Sequence, residues 1–586
     1  MDKTVSHESV YEAILLPEIV RTKFYYPHKL ELLGEFLSKM RIVHLSLFIS
    51  LCIFPAASLA EGVAYSSIEV NVTEVVAETD DNFICATLDW WPHDKCSYNR
   101  CPWGYSSAIN LNLSNPFMAT AIQAFKNLRI RIGGSLQDQV VYDVGELKSP
   151  CHPFQKINGG LFGFSKGCFH MKRWDELNRL FRKTGVVVTF GLNALNGRHW
   201  IKQDVWGGDW DPSNAHNFIK YTVSKGYPVD SWEFGNELSG SGIGARVAAE
   251  QYGKDLIALR KVIHEVYESS HVKPLVIAPG GFFDEQWYAK LLEVSGQGVI
   301  NAMTHHIYNL GAGNDPSLVS KILNPSFLSE ISTTFSNLRD TIQRHGAWAS
   351  AWVGESGGAY NSGGHQVSNT FVNSFWYLDQ LGMASKYNTK VYCRQSLIGG
   401  NYGLLNWSTS LPNPDYYSAL LWHRLMGKGV LALQSDAPPH LRSYAHCSKG
   451  RAGVTLLLIN LSNETHFITQ FHSSRNNNVR TLGIDHHPDD KGTILFQGLK
   501  RTVSFVGTRS SKAPTFREEY HLTPKDGYLQ SQVMVLNGTP LEVTGDGEIP
   551  ALEPALVDVN SPVSVGPLSI AFIVFPTMYA PACNQI

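Results

Sequence analysis

Two glutamates occupy sequence positions that suit the hydrolysis of a glycosidic bond. Asn236 and Glu237 come just after the apolar segment 229–234, and Glu355 directly follows the segment 348–354. This hydrolysis needs one carboxylic acid to protonate the leaving oxygen and one carboxylate to attack the sugar or to activate water. A single glutamate is most often an exposed loop residue. The prediction therefore depends on the pair, with Asn236 as a hydrogen-bond donor for the sugar 2-hydroxyl.

The segments that precede the two glutamates belong to a pattern that repeats along much of the chain. Short apolar runs, each followed by a longer amphipathic stretch, predict strand–helix units with parallel strands. The eight runs are residues 83–89, 127–132, 185–190, 229–234, 274–278, 300–308, 348–354 and 389–397. They favour an α/β fold of the (β/α)8 TIM-barrel type, in which the strand ends carry the active site. A doubly wound open sheet is the alternative, but no glycine-rich phosphate loop follows the first run.

The C-terminal part of the chain has a different pattern of apolar and polar residues. Alternation of apolar and polar residues at 453–459, 530–536 and 568–574 predicts strands. Residues 63–75 alternate in the same way but precede the barrel, so we expect them to add a strand to a C-terminal β-sandwich. The predicted domains are residues 61–82 as that strand, 83–425 as the catalytic barrel and 426–586 as the β-sandwich.

The charge balance excludes several classes of partner. The chain of 586 residues has 49 basic and 51 acidic side chains, so no global positive field attracts nucleic acid or an anionic membrane. We expect no nucleic-acid partner, at most peripheral membrane association, and a monomer. No dinucleotide or phosphate-loop motif is present, so we expect no cofactor. We also expect no metal, because adjacent strand residues such as His305 and His306 point to opposite faces.

The N-terminal residues predict export. Arg41, the apolar segment 42–54 and the cleavage-site sequence Ser-Leu-Ala at 58–60 have the order of a secretory signal peptide at residues 40–60. Residues 1–39 are interpreted as a non-structural upstream extension, and a buried helix at 42–54 is the alternative to a signal. We expect the protein to be secreted to the extracellular space or cell wall, or delivered to a vacuole or lysosome. The predicted N-glycosylation sites are Asn71, Asn112, Asn406, Asn460, Asn463 and Asn537.

Blocks of sequence at the predicted strand ends resemble glycoside hydrolase family 79, the heparanase-like proteins and β-glucuronidases. The blocks are residues 131–135 (RIGGS), 191–195 (GLNAL), 232–238 (WEFGNEL), 304–308 (THHIY), 354–360 (GESGGAY) and 400–402 (GNY). The resemblance covers nearly all of residues 61–583. It implies a barrel flanked by a β-sandwich and a retaining mechanism, with Glu237 as the acid/base and Glu355 as the nucleophile.

The same resemblance implies how a uronic acid is bound. The substrate-binding residues it implies are Asp89, Ser135, Asn193, Asn236, His306, Tyr308, Tyr360, Gly363, Gly364 and Tyr402. Backbone amides of residues 360–364, together with Tyr402, would hold the sugar carboxylate, and an ordinary glycine turn is the alternative. Asn361 and Ser362 depart from the glycines that are common at these places, which leaves the choice between exo and endo action open. For Asp89 and Asn193 a structural cap remains equally compatible.

Arg131 is expected to support the nucleophile. A fixed guanidinium beside Glu355 would keep that carboxylate ionised, since a neighbouring positive charge lowers a carboxylate pKa. A structural ion pair at the strand end is the alternative.

The nine cysteines become eight if the signal peptide, with Cys52, is removed. An even number suits an oxidising compartment, although spacing leaves the pairing open. Cys96/Cys101 and Cys151/Cys168 are interpreted as local pairs, and Cys85 and Cys393, which lie within apolar runs, as buried free thiols. The resemblance implies one further bridge, Cys447–Cys583.

The function predicted first is a secreted retaining β-glucuronidase that acts on cell-wall glycans or on small glucuronide conjugates. One alternative is an endo-β-glucuronidase of the heparanase type. The near-neutral charge weighs against it, because sulfated chains normally bind clusters of Lys and Arg. The other alternative is a catalytically silent carbohydrate-binding protein of the wall, against which the presence of both glutamates argues.

Overall fold

The computed structural model describes residues 62–474 and 516–585. The predicted signal peptide at 40–60 and the predicted extension at 1–39 lie outside these residues. Within the described part of the chain, no helix is both long enough and apolar enough to cross a membrane.

The strands and helices of the described residues are as follows. The strands up to the end of the barrel are β1 (Gly62–Glu78), β2 (Ile84–Leu88), β3 (Arg129–Ile132), β4 (Val140–Asp143), β5 (Gly167–His170), β6 (Val187–Leu192), β7 (His199–Lys202), β8 (Val205–Gly207), β9 (Ser231–Phe234), β10 (Leu275–Gly281), β11 (Ala302–Ile307), β12 (Gly311–Ala312), β13 (Ser350–Ser356), β14 (Ala359–Tyr360) and β15 (Thr389–Arg394). The later strands are β16 (Met426–Ser435), β17 (Leu441–Ser448), β18 (Val454–Asn460), β19 (Thr465–Ser473), β20 (Phe516–Pro524), β21 (Met534–Leu536), β22 (Thr539–Pro540), β23 (Ala555–Asp558), β24 (Val563–Val565) and β25 (Ser569–Phe575). The α-helices are α1 (Pro116–Gln123), α2 (Met171–Thr184), α3 (Ser213–Ser224), α4 (Ala249–Val266), α5 (Glu285–Ser295), α6 (Leu318–Ile322), α7 (Pro325–Ser329), α8 (Ser332–His345), α9 (Val372–Lys386) and α10 (Pro414–Leu425).

Eight parallel strands form a closed barrel. Their order is β2-β3-β6-β9-β10-β11-β13-β15, and β15 pairs back to β2. The helices α1, α2, α3, α4, α5, α8, α9 and α10 follow these strands one by one along the chain. Each predicted apolar run overlaps one barrel strand, because parallel barrel strands are buried on both faces and therefore appear as continuous apolar segments. The predicted (β/α)8 barrel is confirmed.

Helix α2 illustrates how the sequence produces the outer ring of helices. Its buried residues include Trp174, Leu177, Leu180 and Phe181, which recur at helical spacing on one face. The helix ends at Gly185, whose φ of 72° is the left-handed conformation that commonly terminates helices. The spacing of the apolar residues and the terminal glycine thus account for the bounds of this helix.

A second sheet has eleven strands, ten of which follow the barrel in sequence. The N-terminal strand β1 belongs to it and pairs with β16 in antiparallel and with β19 in parallel orientation. The sheet bends into two layers, since strands that are not all neighbours within it share one apolar core. Members of that core are Val70, Leu456, Phe467, Val565 and Ile573. The predicted β-sandwich that takes up an N-terminal strand is confirmed.

All eight cysteines of the described residues are paired. The bridges are Cys85–Cys393, Cys96–Cys101, Cys151–Cys168 and Cys447–Cys583. The prediction of free thiols at Cys85 and Cys393 was wrong. These residues lie opposite each other on β2 and β15, where the barrel closes. Their separation of 308 residues conceals this adjacency in the sequence.

The six sequons differ in exposure. Asn112, Asn463 and Asn537 are exposed, and Asn71 and Asn406 are partly exposed. Asn460 is fully buried, and its side-chain amide donates hydrogen bonds to the carbonyl oxygens of Thr465, Val565 and Gly566. A glycan at Asn460 is therefore incompatible with this fold.

Candidate active site

The two glutamates lie on different strands of one barrel and face the same cleft. Glu355 belongs to β13, whereas Glu237 lies just after β9 with a left-handed φ of 56°. Its backbone N–H donates to the carbonyl of Gly280 at 2.7 Å. A left-handed residue other than glycine costs about 1–3 kcal/mol, and such residues cluster at functional sites. One carboxylate oxygen of each glutamate and one ring nitrogen of His306 lie within 4.8 Å of one another.

Arg131 joins the acids of the site. The guanidinium donates through Nη1 to Glu355 Oε2 at 2.9 Å, through Nη2 to Asn236 Oδ1 at 2.9 Å, and through Nε to Glu233. Burial alone would lower the pKa of Arg131, but the charges of Glu233 and Glu355 outweigh burial and raise it above the ordinary value. Arg131 is thus both the predicted neighbour of Glu355 and a structural ion-pair partner.

Glu355 is held at both carboxylate oxygens. Arg131 binds Oε2, and the Tyr308 hydroxyl donates to Oε1 at 2.6 Å. Two directed bonds fix the orientation of the carboxylate, which is what an attacking oxygen requires.

Glu237 has a different environment. Its Oε1 lies 3.0 Å from Nδ1 of His306. Burial lowers the pKa of His306 to about 4, so near neutral pH the imidazole carries no charge that could stabilise the carboxylate. Burial also raises the pKa of Glu237 to about 7, against the opposing charge of Arg131. The two carboxyl groups are therefore equipped for unlike tasks, Glu237 to carry a proton and Glu355 to present an oxygen in a fixed orientation.

Asp89 closes the site from the end of β2. Its Oδ2 accepts from Gln395 Nε2 at 2.8 Å, and its Oδ1 accepts from the Trp90 N–H at 2.6 Å. Burial, followed by the nearby charge of Glu355, raises the pKa of Asp89 to about 7. Gly134 must lack a side chain, because a β-carbon there would lie 2.5 Å from Asp89 Oδ2.

The cleft above the glutamates has a volume of about 180 Å³. Predicted residues that line it are Ser135, Glu237, Tyr308, Glu355, Tyr360 and Tyr402. Lining residues that were not predicted are Trp91, Lys95, Trp103, Phe162, Ile243, Phe282 and Gln395, whereas Asn361 and Ser362 belong to the predicted loop of residues 360–364. Most of these lie in loops after the barrel strands, and the aromatic segment directly after the first strand was their clearest sequence signal. Lys95 Nζ lies 4.4 Å from the centroid of the Trp91 ring.

Asn236 and His306 lie directly behind the cleft wall. Both are buried, and each keeps one polar atom without a protein partner among the described residues, Nδ2 of Asn236 and Nε2 of His306. A buried polar atom without a partner is unfavourable, so a ligand group that reached either atom would be favoured there.

Two predicted binding residues are occupied by the protein itself. The Asn193 amide donates to the carbonyl of Val140, and its Oδ1 accepts from the Leu195 N–H. These contacts fit the alternative that Asn193 is a structural cap. The Gly364 N–H donates to Ser368 Oγ at 2.9 Å, so it is not free to bind a carboxylate.

The free backbone N–H groups of this loop belong to residues 361–363, just before Gly364. Asn361, Ser362 and Gly363 have φ values of 56°, 73° and 73°. Within the described residues, their N–H groups donate to no protein acceptor. Asn361 and Ser362 line the cleft together with Tyr402, which contacts the α-carbon side of Gly363. Consecutive unpaired N–H groups form a site for an anion.

Glu237, His306 and Glu355 are close enough to surround a cation. Both oxygens of Glu355 are already bound by Arg131 and Tyr308, and the His306 nitrogen that faces Glu237 is engaged. A second cluster comprises Asp143, Cys168 and His170, but Cys168 is bonded to Cys151 and offers no thiolate. We assign no metal to either cluster.

Known proteins resemble this chain in sequence and in fold. The family model for the N-terminal domain of glycosyl hydrolase family 79 matches residues 65–382. Heparanase-like protein 1 of Arabidopsis thaliana is 62% identical over 535 residues, which cover 91% of this chain and 97% of the relative. Baicalin-β-D-glucuronidase of Scutellaria baicalensis is 38% identical over 550 residues, 91% of this chain and 96% of the relative. The crystal structure of a 4-O-α-L-rhamnosyl-β-D-glucuronidase from Fusarium oxysporum has the same fold, with a TM-score of 0.57 at 16% identity over 87% of this chain and 100% of that one.

Proposed function

The chain belongs to glycosyl hydrolase family 79, and on that premise we propose that it is a retaining β-glucuronidase. The observation that carries the proposal is the pair Glu237 and Glu355, whose carboxylate oxygens lie within 4.8 Å in one cleft. Retaining enzymes place their two carboxyl groups about 5–5.5 Å apart, whereas inverting enzymes leave room for a water at about 6.5–9.5 Å. The short spacing supports double displacement.

The first step uses the two carboxyl groups in opposite ways. A Glu355 oxygen attacks the anomeric carbon, and the bond from that carbon to the aglycone oxygen breaks. Glu237 gives its proton to the departing oxygen, for which its raised pKa of about 7 is suited. In the second step Glu237 takes a proton from water, the resulting hydroxide attacks the same carbon, and Glu355 is released.

Neighbouring groups support binding and charge. The unpaired Nδ2 of Asn236, the residue before Glu237, is the proposed donor to the sugar 2-hydroxyl. Gln395, which lines the cleft and donates to Asp89, is the proposed partner of other sugar hydroxyls. For the sugar carboxylate, the free N–H groups of residues 361–363 and Tyr402 are the proposed partners.

Turnover of para-nitrophenyl β-D-glucuronide tests the proposal. Wild-type protein is expected to release nitrophenolate, and NMR of the initial product is expected to show the β-anomer. Glu355→Gln is expected to bind the substrate without hydrolysing it, whereas Glu464→Gln, at an exposed position in the sandwich, serves as the matched control. Initial formation of the α-anomer would contradict retention. Binding without any turnover by wild-type protein would favour the silent carbohydrate-binding alternative.

A second candidate, cleavage within longer acidic glycans, is favoured by one observation. A groove of about 500 Å³ shares Asn361 and Ser362 with the cleft, and Arg100 and His365 lie on its wall. Longer chains that carry acidic groups are expected to gain affinity there. A higher kcat/KM for an acidic oligosaccharide than for the aryl glucuronide would support this candidate, and equal values would remove its basis.

We propose further that the mature protein is an exported monomer that acts on cell-wall glycans or small glucuronides. The four disulfides support an oxidising compartment, which includes the cell wall and the vacuole. N-terminal sequencing of secreted protein is expected to begin near Glu61, and light scattering to give the mass of one chain. Glycan mapping is expected to find modification among the five accessible sequons and none at Asn460. A mature chain that starts at Met1 would contradict export through this signal.

A further inference from the structure

A small loop closed by a disulfide lies against the wall of the cleft. Cys96 and Cys101 are its bonded ends, and between them Ser97 and Arg100 exchange both backbone hydrogen bonds. The two residues at its tip have φ values of 53° and 59°, the left-handed pair that a type I′ turn requires. The loop thus has a single tight conformation that is fixed covalently at its base.

The wall segment that it contacts is conformationally unfavourable. Asn361 and Ser362 both adopt left-handed backbone conformations. A β-carbon disfavours that conformation, so it persists only where surrounding contacts hold it. Gly363, which follows with φ of 73°, carries no such penalty.

The side-chain hydrogen bonds of these two residues come from the loop and from the residues just after it. Asn361 Nδ2 donates to the Tyr98 hydroxyl at 3.1 Å, and Ser362 Oγ lies 3.2 Å from Ser97 Oγ. Trp103 Nε1 donates to Ser362 Oγ at 3.0 Å, and only 3% of Ser362 is exposed. The loop therefore provides the contacts that a left-handed asparagine and serine need.

We propose that the loop of residues 96–101 is a positioning element that gives the enzyme its preference for uronides. Through Ser97 and Tyr98 it holds Asn361 and Ser362, which line the cleft, in the conformation that leaves the N–H groups of residues 361–363 unpaired. The sugar carboxylate then meets a preformed set of donors. Because this segment is already ordered, binding does not lose conformational entropy in ordering it. The proposal rests on the proposed function, since it concerns the recognition of the same substrate.

Binding to a protein that cannot turn the substrate over gives the first test. In the Glu355→Gln background, Tyr98→Phe is expected to weaken the binding of para-nitrophenyl β-D-glucuronide about three- to tenfold, as measured by calorimetry. Tyr105→Phe makes the same chemical change at a residue that is 67% exposed and stacks on His93, and it is expected to leave affinity unchanged. Unchanged affinity in Tyr98→Phe would overturn the proposal.

Two substitutions at Asn361 separate backbone conformation from loss of a side chain. Both substitutions remove the side-chain amide. Glycine adopts a left-handed backbone conformation readily, whereas alanine does not. Alanine is therefore expected to weaken glucuronide binding more than glycine does, and Tyr98→Phe is expected to have no further effect when Asn361 is glycine. Equal losses for alanine and glycine would overturn the conformational argument.

Turnover gives an independent readout of specificity. With an otherwise wild-type chain, Tyr98→Phe is expected to raise KM for the glucuronide with little change in kcat, and to lower kcat/KM for the glucuronide relative to the matching glucoside. A parallel loss for both sugars would mean a general structural role and would contradict the proposal. If wild-type protein hydrolyses no glucuronide, the proposed function fails, while the binding experiment in the Glu355→Gln background still decides the role of the loop.

Discussion

At the scale of single residues, Glu237 is expected to control the alkaline side of the pH profile. Burial raises the pKa of this carboxyl to about 7, with Arg131 opposing. Because the acid must be protonated for the first step, kcat/KM is expected to fall as the pH rises through about 7. Glu237→Ala is expected to remove this alkaline limb for an aryl glucuronide whose phenolate leaves without a proton. The same variant is expected to slow hydrolysis of the glycosyl–enzyme intermediate.

Asp89 provides the control for that assignment. Burial, with the added charge of Glu355, also raises the pKa of Asp89 to about 7. Asp89→Asn is therefore expected to lower turnover but to keep the alkaline limb. If the limb survives in Glu237→Ala and disappears in Asp89→Asn, the group that titrates is Asp89 and the acid/base assignment is wrong.

Arg131 combines a structural and a functional task, and two variants separate them. Arg131→Ala leaves Glu233, which is fully buried, without its guanidinium partner. Removing one member of a buried ion pair costs about 3–5 kcal/mol, so the free energy of unfolding is expected to fall by about that amount. Adding Glu233→Gln is expected to recover part of the stability, measured by denaturant unfolding, but not the lost turnover. Recovery of both would show that Arg131 acts only through folding.

At the scale of elements, the bridge between β2 and β15 fastens the first barrel strand to the last. The pair Cys85→Ala and Cys393→Ala is expected to lower the free energy of unfolding by about 2–4 kcal/mol, mainly because the unfolded chain becomes less constrained. Activity at low temperature is expected to remain, since neither residue lines the cleft. Thiol titration of the denatured, unreduced mature protein is expected to find no reactive cysteine at these positions. Two reactive thiols there would contradict the bridge.

At the scale of the whole molecule, a buried polar cluster joins the barrel to the sandwich. Asp379 of α9 accepts from Arg442 Nε at 2.8 Å and from the Tyr444 hydroxyl at 2.5 Å, both on β17. Asp379→Ala is expected to lower the free energy of unfolding by about 3–5 kcal/mol, because Arg442 loses its carboxylate partner. Calorimetry is expected to show one transition at lower temperature, as for parts that unfold together.

The matched control is Asp340→Ala, which removes the exposed ion pair with Arg339 and is expected to change the free energy of unfolding by less than about 1 kcal/mol. Two separated transitions in Asp379→Ala would mean that the barrel and the sandwich unfold independently once this cluster is lost. Equal changes in the free energy of unfolding in the two variants would contradict the stabilising role proposed for Asp379.

The sequence by itself determined the barrel, the added N-terminal strand and the two glutamates. Barrel strands are buried on both faces and so appear as continuous apolar runs, and the acids come directly after two of these runs. A short-range sequence pattern is sufficient to predict such features, because each depends on residues within about a dozen positions of one another. The apolar face of α2, which is set by residues at helical spacing, has the same origin.

Only the tertiary structure decided which distant residues meet. It paired Cys85 with Cys393 across the closure of the barrel, and it placed Gln395 on Asp89 and Glu233 on Arg131. Within the predicted loop of residues 360–364 it left the amides of residues 361–363 free and engaged that of Gly364, and it occupied Asn193 and Asn460 with backbone partners. These outcomes depend on which loop packs on which strand end, and loops carry no periodic signal of their position. Whether a polar side chain binds a ligand or the protein is decided by the neighbours that folding brings to it.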